Sequence, residues 1–138
     1  MEAEPALPRL RSPSRAWTWI GWTLTAIFTL FMVFDIAIKL IRLPVVEETL
    51  TGLGYRSGLG VPIGLVEAVL LILYLVRRTS LLGAVLFTAL FGGTVASHVR
   101  AESPWLSHVL FGAYLALFAW GGLWLRDRRL RALFPIGR

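Results

Sequence analysis

Four long stretches of apolar residues, joined by short polar segments, make up most of the chain. Each is about as long as an α-helix must be to cross the hydrocarbon core of a bilayer. None has the continuous polar face that a helix of a soluble domain needs. The stretches cover residues 17–34, 59–76 (interrupted by Glu67), 81–97 and 105–125. The pattern therefore predicts an all-α fold, an integral membrane four-helix transmembrane bundle, with spans at about 17–40, 59–76, 80–98 and 105–125.

The spans are expected to form one domain over residues 16–127. Residues 1–15, rich in Pro, Ser and Arg, are predicted to be a disordered cytoplasmic tail, and residues 128–138 a basic cytoplasmic tail. The first apolar stretch is too long for the core of a signal peptide, so it is interpreted as a retained span. A short outer helix is expected around residues 45–51. The spans leave no room for a soluble catalytic module, so a stand-alone enzyme is not expected.

The charge distribution predicts the topology. The net charge is +6, from 14 basic residues against 8 acidic ones. The basic residues lie between the apolar stretches, so they are interpreted as topology signals rather than as a nucleic-acid surface. On the side of the termini lie ten: Arg9, Arg11, Arg15, Arg77, Arg78, Arg126, Arg128, Arg129, Arg131 and Arg138. On the other side lie four: Lys39, Arg42, Arg56 and Arg100. The positive-inside rule then places both termini in the cytoplasm of a multi-pass protein of the bacterial cytoplasmic (inner) membrane.

Five ionisable residues fall inside or at the ends of the spans, where charge is costly. They are Asp35, Lys39, Glu67, His98 and Arg100. Counted along their helices, all five reach the same layer near the outer ends of three spans. Asp35 and Lys39 are four residues apart with the acid first, the favourable order for a pair on one helix face. Glu67 has no partner in its own span and is expected to meet Lys39 or Arg100.

This cluster has two interpretations. As a site, it is a pocket that opens to the outer side and binds a ligand. As a structural network, it only fixes the helices against each other. The sequence leaves both open.

Small residues recur every four positions along the third span. They are Ala84, Thr88, Gly92 and Ala96, with Gly93 beside Gly92. Small residues at this interval allow helices to approach closely. A tight contact inside the bundle is the expected use, and a homodimer contact is the alternative.

Missing cysteines restrict the chemistry. The chain has none, which excludes thiol–disulfide exchange, thiolate metal sites and iron–sulfur ligation by this chain alone. Haem would need His98 and His108 as axial ligands, and a polar contact is the favoured interpretation for both. No metal site is predicted.

Several segments together resemble one family. They are Asp35 and Lys39 in a Trp-rich first span, Gly64 to Glu67, Arg78-Thr79, Gly83-Ala84, Gly92 to Arg100, and Trp124 to Arg129 with Pro135. This order is similar to the DoxX-like family of small bacterial four-helix membrane proteins, over roughly residues 17–135. The segment Gly92-Gly93-Thr-Val-Ala-Ser-His98-Val-Arg100 is the most specific part. The resemblance implies a four-helix membrane bundle and a loose link to quinone-linked redox complexes of the membrane.

Three hypotheses for the function follow. The first is an accessory subunit of a membrane protein complex, with a quinone ring or small polar headgroup in the outer-leaflet pocket. Asp35 and Glu67 would accept protons there, and Arg100 with His98 would hold a ligand oxygen. The second is a non-catalytic scaffold or assembly factor. The third, a small multidrug-type transporter, is disfavoured by the ten-to-four charge bias and the lack of an internal repeat.

Labelling from one side of the membrane tests the predicted topology. A cysteine introduced at Ser103 should react with an impermeant maleimide added outside, and one introduced at Arg138 only after permeabilisation. The chain has no cysteine of its own to give background. Equal labelling of both positions from the same side would contradict the topology.

Overall fold

The fold consists of helices and the turns between them. A computed structural model describes residues 15–134, and this part of the chain contains no β-strand. Of the predicted tails at 1–15 and 128–138, residues 1–14 and 135–138 lie outside the described residues. Arg15, expected in the first tail, begins the first helix, and residues 128–133, expected in the second, are helical. The helices are α1 (Arg15–Leu40), α2 (Pro44–Gly52), α3 (Gly60–Leu75), α4 (Ser80–Arg100), α5 (Phe111–Arg126) and α6 (Arg128–Leu133). A π-helical turn, Trp105–Val109, precedes α5.

Three helical segments are long and apolar enough to cross a membrane. They are α1, α4 and the segment Trp105–Arg126 that the π-helical turn and α5 form together. Helix α3 is equally apolar, but its 16 residues span only about 24 Å, less than the roughly 30 Å of a hydrocarbon core. The all-α membrane fold predicted from the sequence is confirmed. That α3 also crosses, and that both termini are cytoplasmic, remain predictions.

The four apolar helices α1, α3, α4 and α5 pack around one core. Each contacts two neighbours, in the order α1–α3–α4–α5 and back to α1. Aromatic rings fill the centre: Phe28 packs edge-on against Tyr74 at 5.1 Å and against Phe87 at 5.2 Å between ring centroids. The Tyr74 hydroxyl donates to the carbonyl oxygen of Ala119 at 2.7 Å. A buried hydroxyl needs such a partner, so this bond fixes α3 against α5.

Glycines mark the closest approaches between neighbouring helices. A Cβ at Gly21 of α1 would lie 2.8 Å from the Leu125 Cβ of α5, and one at Gly122 would lie 2.6 Å from the Thr25 hydroxyl of α1. A Cβ at Gly83 of α4 would lie 2.4 Å from the backbone nitrogen of Tyr74 in α3. In each pair a residue near the start of one helix lies against a residue near the end of the other. The neighbouring helices are therefore antiparallel.

The small residues of α4 serve this packing only in part. Ala84 is fully buried, but Thr88, Gly92, Gly93 and Ala96 are exposed on the bundle surface. A Cβ at Gly92 or at Gly93 would meet no atom within 4 Å. The predicted close approach is therefore not made at Gly92 or Gly93. Thr88 does contact a neighbour, because its hydroxyl accepts a hydrogen bond from the Trp120 indole of α5 at 2.8 Å.

The two ends of the bundle differ in construction. One, here called the α2 end, holds the C-termini of α1 and α4, the short helix α2 and the start of α3. The short helix expected around residues 45–51 is present as Pro44–Gly52, and its position on the outer side remains a prediction. The other, here called the arginine-rich end, holds the start of α1, the α3–α4 turn and α6.

Two glycines of α4 test this packing as a matched pair. Replacing Gly83 by Ala should lower stability by about 1–3 kcal/mol, because the new methyl group overlaps the Tyr74 backbone, which cannot move aside as a side chain can. Replacing Gly92 by Ala should leave stability unchanged or raise it by up to about 1 kcal/mol, because the site is open and Ala favours helix. Thermal unfolding in detergent measures both. Equal effects of the two substitutions would contradict the described packing.

Candidate functional site

A large cavity lies between the helices at the α2 end. Its volume is about 560 Å³, within the usual range for small-molecule sites. Aromatic and aliphatic side chains from α1, α3, α4 and α5 form most of its wall, and α2 covers it. The apolar lining includes Phe31, Phe91, Phe111, Leu90, Leu115 and Ile63. A cavity of this composition suits a ligand that is mainly apolar.

Three charged side chains meet on the wall of this cavity. Lys39 donates to both carboxylate oxygens of Glu67 at 2.8 Å and also pairs with Asp35. Glu67 is buried, and 24% of the Asp35 side chain is exposed. Lys39 is thus the partner of Glu67, one of the two cations expected from the sequence. The three residues are called the ion cluster below.

The local sequence explains how the ion cluster assembles. Asp35 and Lys39 share one face of α1 because they are four residues apart. Glu67 follows Gly64 by three residues, so both lie on the same face of α3. A Cβ at Gly64 would lie 3.0 Å from the Lys39 Cβ. The glycine therefore lets α3 approach α1 where Lys39 reaches Glu67.

Within the ion cluster all the N–H donors are used, whereas one carboxylate oxygen remains free to accept a hydrogen bond. An ammonium group has three N–H donors, and Lys39 directs them at the two oxygens of Glu67 and one of Asp35. The other Asp35 oxygen accepts no hydrogen bond within residues 15–134. With all three groups ionised the cluster carries one net negative charge. It suits a ligand that donates hydrogen bonds or brings positive charge.

A second set of polar groups lines the cavity near the end of α4. The Tyr55 hydroxyl contacts the Ser97 hydroxyl at 2.5 Å, and Ser97 donates to the Gly93 carbonyl at 2.8 Å. Ser97 has one proton to give, so Tyr55 is the donor to Ser97. Thr94 also lines the wall, with its hydroxyl donating to the Leu90 carbonyl at 3.2 Å. Sequence reasoning missed these three residues; a lone Tyr in a Gly-rich loop was the only available signal.

His98 lines the cavity without joining the ion cluster. Its Nδ1 lies 3.0 Å from the Ser103 hydroxyl, and its ring is edge-on to the His108 ring at 5.6 Å. Two rings in direct contact are not placed as axial ligands that face each other across an iron. Within residues 15–134, no three histidine or acidic side chains come together as a metal site.

Arg100 points away from the ion cluster, contrary to the expected network. Its guanidinium donates to the carbonyl oxygen of Leu53, the residue that ends α2. The last carbonyls of a helix lack partners within the helix and attract cations. Since Lys39 already neutralises Glu67, Arg100 instead ties α2 to α4. Of the five predicted residues, three thus form the ion cluster, His98 lines the cavity without joining it, and Arg100 ties α2 to α4.

Helix α2 forms the roof of the cavity and is held at both ends. Val45, Val46 and Leu50 face the cavity. The Glu47 carboxylate accepts from the Gly58 amide at 2.7 Å and from the Ser57 hydroxyl at 3.0 Å. The Gly58 N–H is the main cause that lowers the pKa of Glu47, and the Ser57 hydroxyl adds to it. These bonds attach the roof to the segment that leads into α3.

The comparison with protein families now identifies the chain. The model of the DoxX-like family matches residues 23–122, well over half of the sequence. The chain belongs to the DoxX-like family. The matched range includes the whole ion cluster, α2, His98 and Arg100. No curated protein and no solved structure matches this DoxX-like chain.

Removing the cation tests the ion cluster. Lys39→Met leaves two carboxylates in an apolar wall, so stability should fall by about 3–5 kcal/mol. A triple variant, Asp35→Asn/Lys39→Met/Glu67→Gln, removes the charges together and should recover most of the loss. Thermal unfolding in detergent gives both values. A Lys39→Met protein as stable as the unchanged chain would contradict the described pairing.

The attachment of the roof should be lost in acid. The folded pKa of Glu47 lies below its ordinary value of 4.5, so its bonds are fully present above pH 4.5 and are lost as pH falls through the lowered pKa. In an NMR titration the Gly58 amide shift should therefore change below pH 4.5. Glu47→Gln should abolish that change, and Glu48→Gln, at the neighbouring exposed position, should not. A Gly58 transition at or above pH 4.5 would be inconsistent with this attachment.

Proposed function

We propose that this DoxX-like protein is an accessory subunit of a membrane complex and binds a lipid-soluble ligand in the cavity under α2. One observation carries the proposal: a buried ion cluster with spare acceptor capacity opens on an apolar cavity of about 560 Å³. Buried ions that only join helices need no such cavity beside them. The combination of apolar wall and few polar groups is typical of sites for small molecules.

The chemistry of the cluster favours the reduced form of a quinone as the ligand. A quinol carries two hydroxyl donors on an apolar ring. One hydroxyl fits the free Asp35 oxygen or a lone pair of Glu67, since Lys39 already uses its three donors. The ring and its apolar tail then lie against aromatic residues such as Phe31 and Phe111. Arg100 takes no part, because the Leu53 carbonyl occupies it.

Such a site would act on protons rather than on electrons. Oxidation of a quinol to the quinone releases two protons and two electrons. Asp35 and Glu67 are placed to accept protons, while the electrons pass to a redox centre of a partner protein. This chain has no cysteine to hold an iron–sulfur cluster. A partner subunit is therefore part of the proposal.

The cavity is proposed to open on the outer side of the bacterial inner membrane. Within residues 15–134 the α2 end carries four basic residues and the other end seven, which favours a cytoplasmic arginine-rich end. Asp35, the most exposed member of the ion cluster, would be the point where protons leave.

A scaffold without a ligand is the second candidate. The observation that favours it is the saturation of Lys39, whose three donors all meet partners within this chain. Buried ion pairs can serve only to fix helices. A substitution that removes the carboxylate charge without removing volume separates the two candidates.

Quinol binding to the purified chain is the test. Short-chain benzoquinols and naphthoquinols, and the matching quinones, are titrated against protein in nanodiscs, with affinity taken from the thermal shift. The quinol should bind more tightly than its quinone. The double variant Asp35→Asn/Glu67→Gln, which removes both candidate carboxylates, should weaken quinol binding about tenfold or more, as expected for a lost hydrogen bond to a charged group.

Glu102→Gln is the matched control for this test, since Glu102 lies at the same end but does not line the cavity. It should leave quinol affinity unchanged. If Asp35→Asn/Glu67→Gln also leaves the affinity unchanged, or neither form of the quinone binds, the scaffold becomes the better account.

A further inference from the structure

A second concave surface lies at the arginine-rich end, about as far from the cavity as the bundle allows. It is a groove of about 480 Å³ between the first turns of α1 and the start of α6. Its lining consists of Arg15, Thr18, Trp19, Trp22 and Arg128. Two cations therefore face a groove whose remaining wall is mainly aromatic.

The groove is positively charged and lacks an acidic side chain in its wall. Within residues 15–134, the ion pairs of the structure all involve Lys39, so Arg15 and Arg128 pair with no described acid. The nearest acid in sequence is Asp127, whose carboxylate accepts from the Arg129 amide at 2.9 Å and caps α6. The two guanidinium groups are thus available to an external anion.

A third arginine adds to the positive field behind the aromatic wall. The guanidinium carbon of Arg126 lies 5.0 Å from the centre of the Trp22 ring and 5.3 Å from that of Tyr74. Its Nε is buried and has no hydrogen-bond partner within the described residues. Cations on a ring face are favourable, so Trp22 is held in place by Arg126 and presents its other side outwards.

The aromatic residues of the groove distinguish a lipid from a free anion. Trp19 is 72% exposed and Trp22 53% exposed. Both occupy the first two turns of α1, where a membrane helix enters the interfacial layer that favours tryptophan. A soluble anion would use the two arginines alone, whereas a phospholipid places its phosphate on the arginines and its glycerol and upper chains on the indole rings.

We infer that this groove is a binding site for the phosphate group of an anionic phospholipid. Arg15 and Arg128 hold the phosphate from two elements, and Trp19 and Trp22 hold the apolar part next to it. Guanidinium groups bind phosphate through paired N–H donors. The site ties α6 to the start of α1 through the lipid. It does not depend on the ligand of the cavity.

Lipid binding by two matched double variants tests the inference. Delipidated protein in detergent is titrated with phosphatidylglycerol, phosphatidylcholine or inorganic phosphate, and bound lipid is counted by native mass spectrometry. Arg15→Gln/Arg128→Gln removes the two groove cations. Arg77→Gln/Arg78→Gln removes the same charge from the same end of the bundle, at exposed positions outside the groove. Unfolding temperatures without lipid show that both variants fold.

The unchanged chain should bind one phosphatidylglycerol in preference to phosphatidylcholine. The groove variant should bind it about 25-fold more weakly, since each of the two arginines contributes a factor of about five. The control variant should change affinity by less than about threefold. Equal losses in both variants would show a diffuse charge effect and overturn the site. Inorganic phosphate that binds as tightly as the lipid would overturn the assignment to a phospholipid.

Discussion

Lys39 and its two carboxylate partners impose the main constraint on this structure. A charge that leaves water for an apolar environment costs several kcal/mol, and only close pairing offsets that cost. The pairing requires α1 and α3 to approach at Gly64 and fixes their register, because Glu67 is one turn further along α3. The same approach places the ion cluster on the wall of the cavity, so helix packing and the proposed ligand site depend on the same three residues.

The shortness of α3 explains why α2 and the loop before α3 close the cavity at the α2 end. With 16 residues it cannot cover the full height of the bundle, and the space left is closed by α2 and the loop before α3. Since α2 packs on few residues below it, polar tethers hold it: Arg100 to Leu53, Tyr55 to Ser97 and Glu47 to Gly58. A roof held by polar bonds opens more easily than one held by packing, which suits a cavity that a ligand must enter.

The sequence predicts the layers of this fold better than the directions of its side chains. Counting residues along helices places Asp35, Lys39, Glu67 and Arg100 at one depth, but depth does not determine which way a side chain turns. Arg100 turns to a backbone carbonyl at the end of α2, and backbone acceptors leave no trace in a side-chain pattern. The four-residue repeat of α4 likewise does not show which of its members meet another helix: Ala84 is buried and Gly92 is open, whereas Gly83, which makes the closest approach, stands outside the repeat.

The central claim, that the cavity beside the ion cluster holds a lipid-soluble ligand, is tested most directly by what purifies with the protein. Leu115 lines the cavity, and Leu117, two residues later on α5, is 70% exposed on the outer surface. Mass spectrometry of extracts from the unchanged chain and from Leu117→Trp should show one bound amphiphile with hydroxyl donors. Leu115→Trp, which fills the cavity, should lack it while remaining folded. An empty unchanged chain, or the same ligand retained by Leu115→Trp, would contradict the account.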